Sequence, residues 1–233
     1  MSIGLSEQEI LRREAMAELR KMGIDPYPPE TFEVNVNALD IINNYERDKT
    51  SYKNIRFAGR IMSRRIMGSA SFAELQDSTG RIQAYINRDE ICPGEDKTLY
   101  NTVFKKLMDI GDFVGVSGYV FTTKTGEISI HVSEMKILSK SLKPLPIVKR
   151  DDDGNIYDGF TDPEMRYRQR YVDLTVNPEF KQIFINRTKV INTMRSYFDD
   201  QGWMEVETPI LQPIHGGAAA RPCRISGCGT PSR

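Results

Sequence analysis

Ile55-Arg56-Phe57-Ala58-Gly59-Arg60-Ile61 alternates large apolar residues with charged or small ones, and the same period of two returns along the chain to Lys140. Ala73 and Leu75 alternate with Phe72, Glu74 and Gln76. Ile82, Ala84 and Ile86 alternate with Arg81, Gln83 and Tyr85, and Ile128, Ile130 and Val132 alternate with Glu127, Ser129 and His131. Successive side chains of a strand point to opposite faces, so each run predicts a half-buried strand. Phe113 to Thr122 reads as a further strand, apolar on both faces. Asp77-Ser78-Thr79-Gly80 and Thr123-Lys124-Thr125-Gly126 have the composition of hairpin turns. Leu99 to Met108 is helical and falls between the third and fourth strands.

Five short strands with a helix after the third predict a small closed barrel of OB type. An SH3-like barrel competes but does not expect that helix. If the alternating apolar residues fill the barrel, then Phe72, Gln76, Arg81, Gln83, Tyr85 and Glu127 face outward by parity. An outward phenylalanine needs a cover. A nucleobase supplies one, because every base has a π-face, and outward amides and carboxylates can then meet base edges. The competing reading packs Phe72 under a neighbouring helix. Arg64 or Arg65 can meet a phosphate or a base, but counted from Ile55 the parity of Arg65 is inward, unless the first strand bulges. His131 is expected to face solvent.

Outward from the barrel, Ser6-Glu7-Gln8-Glu9 has the pattern of a capping box, and Leu11, Ala15, Leu19 and Met22 follow at helical spacing up to Gly23. The charged face of this helix (Arg12, Arg13, Arg20, Lys21) reads as solvated surface, with RNA contact as the alternative. A short helix is expected near Ala38 to Tyr45. Pro144, Pro146 and Asp151-Asp152-Asp153-Gly154 mark a linker. Beyond it, Asp162-Pro163 starts a helix running to about Leu174, and Asn177-Pro178 starts another, with Phe180, Ile183, Phe184, Val190, Ile191, Met194 and Phe198 on its stripe. Gly202 stops it. Trp203-Met204-Glu205-Val206-Glu207 reads as a strand ended by Pro209.

The 233 residues are 39% hydrophobic and 27% charged, with 32 Lys+Arg against 32 Asp+Glu. That composition suits a globular protein and excludes a globally basic nucleic-acid binder; an RNA partner needs a local surface. No apolar run approaches the length of a membrane span, and the start lacks a signal-peptide core, so a cytoplasmic address is expected. The three cysteines form no disulfide framework, and Cys223 and Cys228 lack zinc spacing. No nucleophile elbow, phosphate loop or His-Glu-x-x-His occurs, and His131 and His215 have no triad context, so no catalytic residue is assigned.

Arg64-Arg65-Ile66-Met67-Gly68, Ala70-Ser71-Phe72 and Leu75-Gln76-Asp77 closely resemble the anticodon-binding domain of class II lysyl-tRNA synthetases. Arg166 to Leu174 resembles the entry to their catalytic domain. Glu205-Val206-Glu207-Thr208-Pro209-Ile210-Leu211-Gln212-Pro213 resembles class II motif 1, and Gly216-Gly217-Ala218-Ala219-Ala220-Arg221-Pro222 resembles the continuation in the lysine enzymes. The resemblance implies that Phe72 stacks on an anticodon base and that Arg65, Gln83 and Glu127 contact a U-rich lysine anticodon. It implies that the helix from Pro178 and the strand to Pro209 form a homodimer interface, and that Gly216 and Gly217 line a lysine site. It also implies an ATP- and Mg²⁺-dependent lysine–tRNA ligase whose partners are tRNA-Lys, lysine and ATP, with no membrane.

The expected architecture is α+β: an N-terminal helical extension (1–53), an OB-fold anticodon-binding barrel (54–140), a linker (141–162), the incomplete start of a class II antiparallel α/β catalytic domain (163–222), and a tail outside the family pattern (223–233). The family's second and third motifs, which hold ATP and Mg²⁺, have no counterpart in these residues. The chain alone is therefore expected to be inactive, with a non-enzymatic RNA-binding OB module or an inactive fragment as the alternative.

Overall fold

The computed structural model describes residues 4–146, 149–150, 156–157 and 159–208. Its elements are α1 (Glu7–Lys21), α2 (Ala38–Asn44), β1 (Ile55–Met67), β2 (Ala70–Gln76), β3 (Arg81–Asn87), α3 (Arg88–Ile91), a π-helix (Leu99–Leu107), β4 (Phe113–Thr122) and β5 (Ile128–Ser139). Then come β6 (Lys149–Arg150), β7 (Ile156–Tyr157), α4 (Pro163–Arg168), α5 (Arg170–Val176) and α6 (Pro178–Asp200). The chain divides into two compact units, one up to Val172 and one from Asp173.

In the first unit β1 to β5 close into a barrel in the order β1-β2-β3-β5-β4, with β3 and β5 parallel and every other pair antiparallel. The inward residues are those the alternation selects: Ile55, Phe57 and Ile61 from β1, Ala73 and Leu75 from β2, Ile82, Ala84 and Ile86 from β3, and Ile130 and Val132 from β5. Closure leaves no open sheet edge. The π-helix seats Tyr100 and Phe104 in the same core, and the Met108 N–H reaches back five residues to the Val103 carbonyl at 2.9 Å. This is the helix that separates the OB reading from the SH3-like one.

The flanking helices are tied to the barrel by polar groups. Ser6 and Glu9 form the expected capping box of α1. Leu19 is buried in the barrel's core cluster, whereas Leu11 is 56% exposed, so the apolar stripe covers only the last turns of α1. Arg12 departs from its expected solvated role. It is buried and donates to the carbonyls of Ser141 and Ile110, both at 2.9 Å, which clamps α1 to the strand end where the chain leaves the barrel. A long cation can be buried when its donors find carbonyls that would otherwise lack partners. Beside it, Lys140 is fully buried between Asp112 (2.8 Å) and Asp109, and Asp112 also accepts the N–H groups of Ser141 and Asp109, both at 2.7 Å. Burial pushes the Asp112 carboxyl up; Lys140 and these N–H groups pull the other way.

Asp77 organises the β2–β3 turn. Its Oδ1 accepts the Thr79 and Gly80 N–H groups, and its Oδ2 accepts the Ala38 N–H at 2.8 Å, so one side chain shapes the hairpin and ties down the start of α2.

Two expectations outside the barrel need correction, the helix from Pro163 and the strand from Trp203. The residues from Pro163 to Leu174 are two helices, not one, because α4 is capped off at Gln169. Within the stretch read as a linker, β6 and β7 pair antiparallel. Trp203 to Glu207 forms no strand, and none of these residues has a ladder partner among the described residues. In the second unit α6 ends where Gly202 turns at φ 78°. Pro209, His215, Gly216, Gly217, Cys223 and Cys228 lie outside the described residues.

Candidate nucleic-acid interface

The outer face of the barrel carries one transverse row. Strand register places Arg65 of β1 opposite Phe72 of β2, Phe72 opposite Tyr85 of β3, Tyr85 opposite His131 of β5, and His131 opposite Tyr119 of β4. Neighbouring rings in this row are in contact range: Phe72–Tyr85 at 5.3 Å, Tyr85–His131 at 5.0 Å, and His131–Tyr119 stacked at 4.6 Å with 9° between planes. Phe121, two residues along β4, packs edge-on to Tyr85 and His131.

Arg65 joins the row because β1 is irregular. The β1–β2 ladder slips at Met62, so Ile61 pairs with Leu75 but Ser63 pairs with Glu74. One extra residue inverts the faces of everything after it. Arg65, inward by counting from Ile55, is thereby turned outward and exposed. The same slip turns Arg64 the other way: it is half-buried and donates to the Phe104 carbonyl at 2.7 Å, capping the π-helix. Of the two arginines singled out from the sequence, only Arg65 is available to a ligand.

A second row runs beside the rings. Gln83 pairs with Glu74 on one side and Ser129 on the other. Gln83 Nε2 donates to Glu127 Oε2 at 2.8 Å, and Ser129 Oγ donates to Gln83 Oε1 at 3.0 Å. These bonds fix the Gln83 amide while leaving its second N–H and the other Glu127 oxygen for a ligand. Arg81 is held by Glu74 (3.2 Å) and Gln76 (2.9 Å). Arg65, Phe72, Gln83 and Glu127 all line a single open groove with Tyr85 and Phe121, and Lys124 stands at its hairpin end. The four sequence-selected residues are therefore brought together.

His131 is not solvent-facing as expected. It is 9% exposed, covered by Tyr119, although its strand face is the outer one. Glu90 Oε2 lies 3.0 Å from its Nδ1, but the pair is not aligned for a hydrogen bond, so Nδ1 has no hydrogen-bond partner. Burial, then the Glu90 charge, then Tyr85 push the Tyr119 phenol up, so it is neutral near pH 7. Tyr119 and Phe121 were missed by reading β4 as apolar on both faces. Their alternation with the inward Val120 was the available signal.

No group of three or more His, Cys, Asp or Glu side chains among the described residues can hold a metal ion. No described helix is long and apolar enough to cross a membrane.

Comparison with known proteins agrees with the geometry. Residues 55–138 match the family described as OB-fold nucleic acid binding domain. Residues 162–229 match tRNA synthetases class II (D, K and N), a match that continues past Pro222. The chain is 61% identical over 219 residues to a lysine–tRNA ligase of Porphyromonas gingivalis, covering 94% of this chain and 38% of that protein. It is 57% identical over 218 residues to those of Christiangramia forsetii and Azobacteroides pseudotrichonymphae, again over 94% of this chain, and covers 38% and 43% of them. The chain thus spans well under half the length of these curated relatives. An OB barrel with a ring-lined polar groove, followed by class II synthetase sequence and matched throughout by lysine enzymes, places the chain in the class II lysyl-tRNA synthetase family.

Proposed function

We propose that the barrel reads the U-rich anticodon of tRNA-Lys for a lysine–tRNA ligase. The observation that carries this reading is the fixed Gln83–Glu127 pair set beside the Phe72 ring. A base stacked on Phe72 would turn its edge toward a carboxylate oxygen, which only accepts, and an amide N–H, which donates. Uracil offers the matching N3–H and carbonyl oxygen. Cytosine offers a bare N3 where the carboxylate needs a donor, and two acceptors then face each other. Unpaired buried polar groups are costly, so this mismatch supplies discrimination. Arg65, opposite Phe72, is within the same groove and would neutralise phosphate.

In the family reaction ATP and Mg²⁺ activate the lysine carboxylate as an adenylate before its transfer to tRNA. The part assigned to the residues of the barrel groove is RNA binding and orientation. Gly216 and Gly217 are assigned to the lysine site on resemblance alone. A homodimer is also proposed. Ile183, Val190, Met194, Tyr197 and Phe198 of α6 are exposed large apolar side chains, more than a monomer surface usually leaves together on one helix. Pro209 belongs to the same proposed interface by resemblance.

The test is equilibrium binding of the full chain to stem-loops carrying UUU, UCU or CCC at one salt concentration. Preference for UUU that falls on changing the base edges supports the reading; equal affinity for all three overturns it.

A further inference from the structure

The aromatic row is longer than one base requires. Phe72 and Tyr119 lie at its two ends, three strand steps apart, or roughly 14 Å at the usual spacing of neighbouring strands. A base lying on Phe72 therefore leaves Tyr119 untouched. Yet Tyr119 is not a buried packing residue. It is 42% exposed and lies flat on His131, with its plane only 9° from the imidazole. His131 in turn is wedged against Tyr85 and Phe121. The row is thus a braced stack that ends in one exposed ring.

Two features of the backbone put that ring there. β4 and β5 approach so closely at Gly118 that an added Cβ would lie 1.9 Å from the His131 carbonyl oxygen, so a glycine is required immediately before Tyr119. Tyr52 accepts the Val120 N–H at 2.9 Å, which brings the neighbouring Lys53 into the recess lined by Tyr119 and Ser133. Lys53 is exposed and has no ion-pair partner among the described residues, unlike Arg56 and Lys136 in the same recess, which pair with Glu33 and Glu30.

We infer that Tyr119 is a second base-stacking subsite, taking a single-stranded nucleotide that flanks the bases read at Phe72 and Gln83, with Lys53 meeting its phosphate. The occupant is an unpaired RNA base rather than an apolar peptide, because the row is continuous with the proposed anticodon groove and ends beside an unpaired cation. Base–aromatic stacking is tolerant of sequence, so this subsite adds affinity without reading identity. The inference rests on the anticodon reading of the barrel.

The experiment uses the full chain and a UUU stem-loop, intact or with one abasic nucleotide at each loop position in turn. Tyr119→Ala is expected to weaken binding of the intact loop about tenfold, within the range for one stacked base, and Tyr119→Phe to leave it unchanged. The abasic loop lacking the flanking base should bind wild type about tenfold more weakly and should lose nothing further with Tyr119→Ala. Lys53→Ala should lower the slope of log affinity against log salt by about 0.7, the effect of one phosphate on a single strand. Tyr119→Leu, which keeps an apolar cover on His131, carries the comparison if the alanine variant unfolds. A Tyr119 variant that binds like wild type while Phe72→Ala binds weakly overturns the second subsite and leaves the anticodon reading intact. A loss equal for every abasic loop overturns it too, because Tyr119 then only braces His131. If Phe72→Ala is also without effect, the anticodon reading itself fails, and the inference with it.

Discussion

Arg65 and Phe72 stand directly opposite each other across the β1–β2 ladder, and they do so because β1 slips by one residue at Met62. The pairing joins a cation to a ring that can hold a base, and the two should fail differently. Phe72→Ala is expected to cost about 1–3 kcal/mol of binding to a UUU stem-loop, the range for one stacked base. Arg65→Gln should weaken binding to all loop sequences alike and reduce the salt slope by about 0.7. Titrations at several salt concentrations with each variant separate these effects. A loss from Arg65→Gln confined to UUU loops would instead make Arg65 a reader of base edges.

Glu127 is expected to control pyrimidine choice. Glu127→Gln keeps the shape of the side chain but adds donors beside Gln83. Affinity for UUU should fall while affinity for a loop with a central cytosine rises, shrinking discrimination by about 1–3 kcal/mol, the scale of a lost bidentate base contact. Competition between UUU and UCU loops measures this directly. Unchanged preference would show that the carboxylate does not face the base.

The Lys140–Asp112 pair predicts a stability effect without a change in specificity. Both side chains are fully buried. Asp112→Ala leaves the ammonium with Asp109 alone and frees the N–H groups of Ser141 and Asp109. Breaking a buried pair from one side costs about 3–5 kcal/mol. Denaturant unfolding of the full chain should show that loss, while the ratio of UUU to CCC affinities of the remaining folded protein stays unchanged.

Asp77 predicts a pH dependence. Burial opposes ionisation of its carboxyl, but the N–H groups of Ala38, Thr79 and Gly80 and the Thr79 hydroxyl outweigh it and hold the group below its ordinary value of 3.8. The unfolded chain therefore binds the proton more readily than the folded one near pH 4. The contribution of Asp77 is complete above about pH 5, where the unfolded carboxyl is also ionised, and disappears as pH falls through the lower folded value. Asp77→Ala should cost about 1–2 kcal/mol at pH 7, as for a lost cap, and wild type and variant should converge in acid. Parallel unfolding curves with a constant gap across that range would show that the carboxylate charge is not what ties the turn to α2.

Gly118 predicts a loss that depends on position. Gly118→Ala drives a Cβ into the His131 carbonyl and should lower stability by about 1–3 kcal/mol, the cost of overpacking. It should also separate Tyr119 from His131. Thermal unfolding with near-UV circular dichroism reads both effects, and an unchanged aromatic signal would mean that the two strands shift together.

The sequence by itself determined the barrel. A period of two divides each strand into an inner and an outer set, and burial of Phe57, Leu75, Ala84, Ile130 and their neighbours follows from that division alone. It also determined the outward positions of Phe72, Gln83 and Glu127, because parity is local to each strand. What it could not determine depended on register between strands and on contacts far apart in the chain. Arg65 required the slip at Met62, which breaks the count that parity relies on. Arg12 was legible as a charge on a helix, but its burial needed the carbonyls of Ile110 and Ser141 to arrive from the far end of the barrel. His131 lay on an outward face and was still covered, because Tyr119 comes from a different strand to lie on it. Alternation reports which face a side chain leaves from; only the packing of strands distant in sequence decides whether that face meets water.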